Sequence, residues 1–441
     1  MGVKVAKFGG TSLANAAQFS KVIDIIKADP DRRYVVPSAP GKRHSDDDKV
    51  TDLLLHCHRV QNDAEQLKSV FGYIRSRFEE IIAGLSLDLD LSETFDEIYT
   101  RMAAGASVDY CASRGEFLSG KILAKALGYE FVDPADHIVF SMRGIFDPDA
   151  THLSLSKRLK KCPRAVVPGF YGAYQDGRIK TFSRGGSDVT GSIVARAVQA
   201  DEYENWTDVS GFMMADPRIV PDAATIRQLS YRELRELSYM GANVLHEDSI
   251  FPVRQAGIPI HIRNTNRPTD EGTLIVNRVP EGRSSVITGV AGRKGFTFIM
   301  VEKAMMNTEL GFGRRVLSVL EDHGISFEYM PTGIDTLSVV VYSSALEGLR
   351  EQILDEINEA CDPDHLELVE NMAIIATVGH GMVKKPGTAA KIFVGLANAG
   401  INIRMIDQGS SELNVIVGVE AADYERAIDA IYHAFMPKDG E

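Results

Sequence analysis

Residues 3–12 read VKVAKFGGTS, and residues 15–28 read NAAQFSKVIDIIKA. The first six of these, VKVAKF, read as a short buried strand, which the pair Gly9-Gly10 ends. Phe19, Val22, Ile23 and Ile26 then recur at helical spacing. A buried strand, a glycine turn and a helix in that order open an α/β unit. The alternation continues through YVVP (34–37), VTDLLLHCHRV (50–60), YEFVD (129–133), RAVVPGF (164–170), YENWTDV (203–209) and IPIHI (258–262). It predicts a largely parallel sheet sandwiched by helices, with GTLIV (272–276) as its last strand. Residues 73–108 read as helical and carry no recognisable chemistry.

PEGRSS (280–285) reads as a linker, and an internal repeat follows it. LSVLEDHGISFEYMPTGIDTLSVVV begins at Leu317, and IFVGLANAGINIRMIDQGSSELNVIV begins at Ile392. Gly324-Ile325 corresponds to Gly400-Ile401, Leu320 to Leu396 and Leu337 to Leu413, always 76 residues apart. Each copy reads as strand, helix, strand, strand, helix, a small ferredoxin-like α+β unit. The expected division is a catalytic domain over 1–280 and two repeat domains over 285–365 and 370–441.

The formal net charge of −13 argues against a nucleic-acid partner, which needs a basic face. Lys and Arg are dispersed, so there is no polybasic anchor. The four cysteines, Cys57, Cys111, Cys162 and Cys361, include no CxxC pair. That speaks against a disulfide framework or zinc site and fits a reducing cytoplasm. No run of about eighteen apolar residues offers a membrane span. The expectation is a soluble cytoplasmic protein with no nucleic-acid or membrane partner.

Two glycine pairs carry the chemistry. Lys7-Phe8-Gly9-Gly10 and Arg184-Gly185-Gly186-Ser187-Asp188 each sit where a strand gives way to a helix; after Asp188, the residues Val189, Ile193, Val194, Ala197 and Val198 continue at helical spacing. Neither fits the Walker or GxGxxG pattern. Paired glycines let a ligand approach the backbone, and the amides of a following helix face an anion. Lys7 ends a buried strand, where its charge needs a partner. A phosphate oxygen would supply one, and Lys7 would stabilise charge moving between phosphoryl groups. A third stretch, WTDVSGFMMADPR (206–218), puts Thr207 and Asp208 at a strand end, where open α/β sheets bind ligands. Its Asp216-Pro217-Arg218 turn can hold an arginine toward a nucleotide.

Together KFGGTS, SRGE (113–116), RGGSDVT, TDVSG with DPR, and GANVLHED resemble the aspartate kinases, of the amino-acid kinase fold. The motifs keep the family's order, and the repeat is similar to that family's paired ACT regulatory domains. The resemblance implies transfer of the γ-phosphoryl group of ATP, carried with Mg²⁺, to the β-carboxylate of L-aspartate. That reaction is the first step toward lysine, threonine and methionine. By the same resemblance, Lys7, Gly9 and Gly10 face phosphate, Lys7 as charge stabiliser. Thr51, Glu116, Phe170, Arg184 and Ser187 hold aspartate, and Asp188 lies beside the reacting carboxylate. Thr207, Asp208 and Arg218 contact ATP. Met213 stands where the family often has an aromatic and Asn243 where it commonly has lysine, both on the nucleotide side. No protein-held metal site is implied.

The residues support these roles independently. A carboxylate acceptor, with an ordinary pKa of about 3.9, is ionised at neutral pH and needs no general base. What the site must supply is alignment and positive charge. Arg184 can fork onto the α-carboxylate, and Glu116 can pair with the α-ammonium. Glu116 also disfavours an N-acetylated acceptor, which has no ammonium to pair. In the repeats, the resemblance implies an effector amino acid, usually lysine or threonine. Met306, Asn307 and Phe312 of MNTELGFG (306–313), and Asp335 and Ser338 of PTGIDTLS (331–338), are the expected contacts. QGSSELN (408–414) is the matching loop of the second copy. Pairing of the repeats between chains would make a homodimer.

Overall fold

Lys4–Phe8 forms strand β1, with Val5, Ala6 and Phe8 wholly buried. Both faces of a parallel sheet are covered, so its strands read as continuous apolar runs rather than alternating ones. The protein is described here from a computed structural model covering residues 2–183, 185–241, 245, 250–279 and 285–436. It divides into two units, Met1–Phe212 with Thr225–Tyr231 and Asn243–Val279, and Met213–Ala224 with Arg232–Ala242 and Pro280–Glu441.

In the first unit, β1 is followed by α1 (Ala16–Ala28), β2 (Arg32–Pro37) and four helices, α2 (Val50–Arg59), α3 (Ala64–Gly84), α4 (Ser92–Ala103) and α5 (Val108–Leu127). Then come β3 (Glu130–Phe131), β4 (Val139–Phe140), α6 (Pro148–Leu159), β5 (Ala165–Val166), β6 (Tyr171–Tyr174), β7 (Ile179–Thr181) and α7 (Gly186–Val198). The series ends with β8 (Glu202–Thr207), β9 (Gln228–Ser230), α8 (Tyr231–Tyr239), α9 (Phe251–Ala256), β10 (Ile260–Asn264) and β11 (Thr273–Val276). From Arg232 onward α8 belongs to the second unit.

The main sheet runs β3-β5-β2-β1-β8-β10-β11-β9. Its first six strands are parallel, and β11 turns back antiparallel to β10. The carboxyl ends of β5, β2, β1, β8 and β10 therefore share one edge, where such sheets bind ligands. A separate small sheet, β4-β6-β7, escapes the sequence reading because its strands are only two to four residues long.

Strand β8 locks the sheet to both helical layers. On one face Glu204 is fully buried and takes two bonds from the Arg32 guanidinium, at 2.6 and 3.1 Å. The Trp206 indole also donates to Glu204, at 2.8 Å, and stacks on Phe8. Removing one partner of a buried ion pair of this kind costs about 3–5 kcal/mol, because the other charge is left unpaired. On the opposite face Tyr203 and Asn205 reach α7.

The second unit contains β12 (Gly289–Glu302), α10 (Phe312–Asp322), β13 (Thr336–Tyr342), α11 (Arg350–Cys361), β14 (His365–Val378), α12 (Thr388–Asn398), β15 (Met405–Asp407), β16 (Asn414–Glu420) and α13 (Tyr424–Phe435). Its two repeats share a single antiparallel sheet, β13-β12-β14-β16-β15. The long strands β12 and β14 run through both copies: Phe298–Glu302 pairs with Val369–His365, and Gly289–Lys294 with Val378–Ala373. The spacing of 76 survives in the helices, since α10 and α12 begin and end 76 residues apart. Gly324 and Gly400 both close their helices in the left-handed region, at φ 68° and 67°.

Candidate active site

Lys7 lies at the carboxyl end of β1 with its side chain only 9% exposed, and its ammonium meets Asp188 Oδ1 at 2.5 Å. Asp188 stands in the first turn of α7, whose N-cap Gly185 has φ 58°, a left-handed conformation that glycine adopts without strain. So the lysine of one glycine pair and the carboxylate beside the other converge, although 181 positions separate them in the chain.

Gly10 is small for a steric reason: a β-carbon there would lie 3.0 Å from the Ala39 carbonyl. One on Gly9 would make only ordinary contacts, 3.6 Å from the Trp206 carbonyl and 3.7 Å from the Lys7 ammonium. Facing Gly10 is Gly41, where a β-carbon would sit 2.7 Å from the Gly10 carbonyl carbon. The Gly41 amide bonds the Gly10 carbonyl at 2.8 Å. Gly41, in the Pro/Gly-rich stretch after β2, was not singled out by the sequence reading. Its position just past a parallel strand end was the available signal.

Glu116 is presented by α5. Gly115 lets that helix close on Ala39, since a β-carbon there would fall 2.5 Å from the Ala39 methyl. Glu116 is 5% exposed, and its Oε2 has no partner. Burial pushes its pKa up to about 8, against the opposing pull of the Ala39 amide and of Arg114. A buried carboxyl with one oxygen unsatisfied is suited to receiving a cation from a ligand. Arg114 itself lies over the rings of Tyr110, Phe117 and Tyr171 and bonds Ser113, so its role in SRGE is to pack α5.

The turn after β5 that carries Phe170 packs closely on the first turn of α7, which carries Ser187. Phe170 holds φ 80°, a conformation that costs a bulky residue about 1–3 kcal/mol and persists only where its surroundings impose it. Thr190 imposes it by accepting the Phe170 amide at 3.0 Å while donating to the Gly186 carbonyl at 2.9 Å. β-Carbons on Gly169 and Gly186 would collide with Ser187 Oγ and the Phe170 ring, at 2.6 and 2.5 Å. Thr51 is half-buried in the first turn of α2.

Thr207 and Asp208 close β8 at the same edge, with Thr207 Oγ1 bonded to Asp208 Oδ1 at 3.2 Å. Asp208 is exposed, and the Thr207 carbonyl accepts the Thr265 amide. Met213 and Arg218 fall in the second unit. Arg218 is highly exposed and forks back onto Asp216, at 2.6 Å for the closest contact. Arg184 and Asn243 lie outside the described residues.

In the second unit the two expected effector loops touch. The Asn307 amide donates to the Ile334 carbonyl at 3.1 Å, and Asp335 Oδ1 accepts the Met305 amide at 2.9 Å. Met306 and Phe312 are buried, and the Ser338 amide bonds the Pro331 carbonyl. Among the described residues no helix is long and apolar enough to cross a membrane.

The sequence profile of the amino acid kinase family matches residues 2–264, and that of an ACT domain matches residues 375–435. Aspartokinase 3 of Bacillus subtilis is 36% identical over 449 residues, covering 98% of this chain and 99% of its own length. The crystal structure of Clostridium acetobutylicum aspartate kinase superposes with TM-score 0.91 at 51% identity, covering 99% of this chain and all of that one. Escherichia coli aspartokinase III in complex with aspartate and ADP gives TM-score 0.71 at 25% identity, over 98% of this chain and 99% of that one. Its complex with lysine and aspartate gives 0.74 at 26%, over 99% of this chain and all of that one. With its strand order, its glycine loops and its paired lysine and aspartate, the chain belongs to the aspartokinases of the amino acid kinase family.

Proposed function

We propose that Lys7 and Asp188 work as a pair in moving the γ-phosphoryl group of ATP onto the β-carboxylate of L-aspartate. The observation that carries this reading is their 2.5 Å contact at the ligand-binding edge of the sheet, between Gly9-Gly10 and the first turn of α7. The acceptor carboxylate is already ionised, so no proton has to be removed for it to attack. The barrier lies in bringing two anions into line. Lys7 offers a fixed positive charge to the transferring group, and the glycines allow phosphate to lie against the backbone. Asp188 holds Lys7 in place before ATP arrives.

On the acceptor side, Glu116 takes the α-ammonium, while Thr51, Phe170 and Ser187 shape the pocket. Arg184 clamps the α-carboxylate. Losing such a charged contact costs roughly 2–5 kcal/mol, so Arg184→Ala should raise the KM for aspartate at least tenfold. Steady-state kinetics with each substrate varied checks this, and a rise confined to the KM for ATP would reassign the residue. Thr207, Asp208, Met213, Arg218 and Asn243 are assigned to the nucleotide.

Mg²⁺ would arrive on the nucleotide. It binds through phosphate oxygens, water and one or two carboxylates rather than a cage of protein ligands. The site fits that mode, because Asp188 in the first turn of α7 and Asp208 at the end of β8 are carboxylates at the ligand-binding edge of the sheet. When bound, the ion would neutralise phosphate charge.

The regulatory reading assigns residues 285–365 and 370–441 to two ACT units that bind an end-product amino acid, lysine or threonine. The catalytic domain is 1–280. The contact of the 306–313 and 331–338 loops, together with the lysine complex of E. coli aspartokinase III, supports this assignment. A second copy of the chain, paired through the ACT units, would complete the assembly. Coupling between such sites is typically about 1–3 kcal/mol, so a saturating effector should weaken substrate binding roughly 5- to 150-fold and lower activity most at subsaturating aspartate. Asp335→Ala should relieve that inhibition with uninhibited kcat unchanged, as a dose–response curve would reveal.

The test of the catalytic reading is ADP formation from ATP with L-aspartate, L-glutamate or N-acetyl-L-glutamate as acceptor. Turnover with aspartate alone is the expected result. Preference for the acetylated acceptor would overturn the role given to Glu116.

A further inference from the structure

We propose that Asn205 is a positioning residue for phosphoryl transfer, its amide bridging Lys7 and Asp188 and keeping the ammonium available to phosphate. The inference rests on reading Lys7 and Asp188 as the transfer pair. Asn205 lies on β8 directly across from Lys7 in the parallel register and is 3% exposed. Its Nδ2 donates to Asp188 Oδ1 at 2.8 Å, and its Oδ1 faces the Lys7 ammonium at 3.5 Å. The charges on either side fix the sense of the amide, with oxygen toward the cation and N–H toward the anion.

A buried central-strand position ordinarily favours a β-branched or aromatic residue, so an amide here needs a reason. The contacts supply one. Lys7 carries three N–H donors. One is committed to Asp188 and a second points toward Asn205, which leaves the third for a phosphoryl oxygen. Asp188 Oδ1 is shared between Lys7 and Asn205, so the amide competes for the oxygen that would otherwise hold the ammonium alone. In a largely dehydrated site an unmoderated ion pair is strong and would draw Lys7 away from its substrate. Asn205 moderates it without adding charge. Tyr203, on the same face of β8, fixes the other end of the arrangement by donating its hydroxyl to the Asp188 carbonyl at 3.1 Å.

Among the described residues, the titratable groups around position 205 are Lys7 on β1, Asp188 on α7 and, bonded to the Asp188 carbonyl, Tyr203 on β8, with apolar Ile262 beside it on β10. That setting makes two substitutions informative in the full-length chain. Asn205→Leu removes the bridge and should lower kcat about tenfold or more, with the KM for ATP and for aspartate within about threefold. Asn205→Asp keeps the shape. When ionised it sets a second carboxylate against Asp188 and competes for Lys7. When neutral, its carbonyl can accept from Lys7 while its O–H donates to Asp188, as the amide does. Its kcat at saturating aspartate should therefore recover as pH falls from about 9 to about 6, relative to wild type. A residue that only packs the strand would give both variants a pH-independent loss.

Lys7→Ala is measured alongside. If it loses activity while both Asn205 variants keep wild-type kcat, the bridge is refuted and the catalytic pair stands. If Lys7→Ala keeps wild-type kcat, the pair itself is refuted. Should Asn205→Leu fail to fold, the pH profile of Asn205→Asp decides, and a constant ratio to wild type overturns the proposal.

Discussion

Lys7→Ala is expected to lower kcat by about 10²–10³-fold, the usual cost of deleting one fixed group that stabilises transition-state charge. The KM for aspartate should stay within about threefold, because Glu116 and Arg184, not Lys7, are assigned to the acceptor. Burial is what gives the effect its size. Lys7 is almost fully enclosed and held at 2.5 Å from Asp188, so neither water nor a surface lysine can replace its charge. Asp188→Asn should also slow the reaction, by freeing the ammonium from its anchor. A rise in the KM for ATP with unchanged kcat in Lys7→Ala would mean that Lys7 only binds the nucleotide.

The second large effect concerns Glu116. Its pKa is pushed up to about 8 by burial, so at pH 7 the free protein holds it mostly protonated. Pairing with the ammonium of aspartate requires the ionised form, so binding must release that proton. The affinity for aspartate should then rise with pH and level off near 8, changing up to about tenfold per unit below that value. Glu116→Gln has no proton to lose and should remove this dependence. It should also raise the KM for aspartate about 30-fold at pH 8.5, the low end of the cost of a lost buried charge pair.

The stability effect runs in the opposite direction. The folded state holds the Glu116 proton above the ordinary carboxyl range of about 4.5, where the unfolded chain has released it. Stability due to this group is therefore complete below about pH 4.5 and falls as pH rises toward 8. Glu116→Gln should accordingly melt higher than wild type near pH 8, with the difference shrinking toward pH 5. A variant that melts higher and binds aspartate more weakly would identify Glu116 as a group kept for function at some cost to stability. Thermal melts and aspartate titrations across that range check both halves.

Much of this arrangement was legible in the sequence, for identifiable reasons. VKVAKFGG announced a buried strand with a lysine at its ligand-binding end because both faces of a parallel sheet exclude water. The repeat was legible because glycines closing helices α10 and α12 recur at a fixed distance. Its shared sheet was not, since nothing local to β12 or β14 states that each strand serves both copies. Gly41 and Asn205 escaped for a related reason. Gly41 matters through its contact with Gly10, and Asn205 through Lys7 and Asp188, which no pattern along a single segment can express. SRGE was legible as a motif, but its parts were not: Gly115 brings α5 close, Arg114 packs it, and Glu116 carries a buried, unsatisfied oxygen.

The most direct measurement is chemical capture of the product. Incubation with ATP, L-aspartate and hydroxylamine should convert an acyl phosphate into aspartyl β-hydroxamate, in amounts matching the ADP formed. Lys7→Ala should lose both signals together. ADP formed without hydroxamate would mean that the phosphoryl group goes to water or to another acceptor, and would contradict transfer to the β-carboxylate.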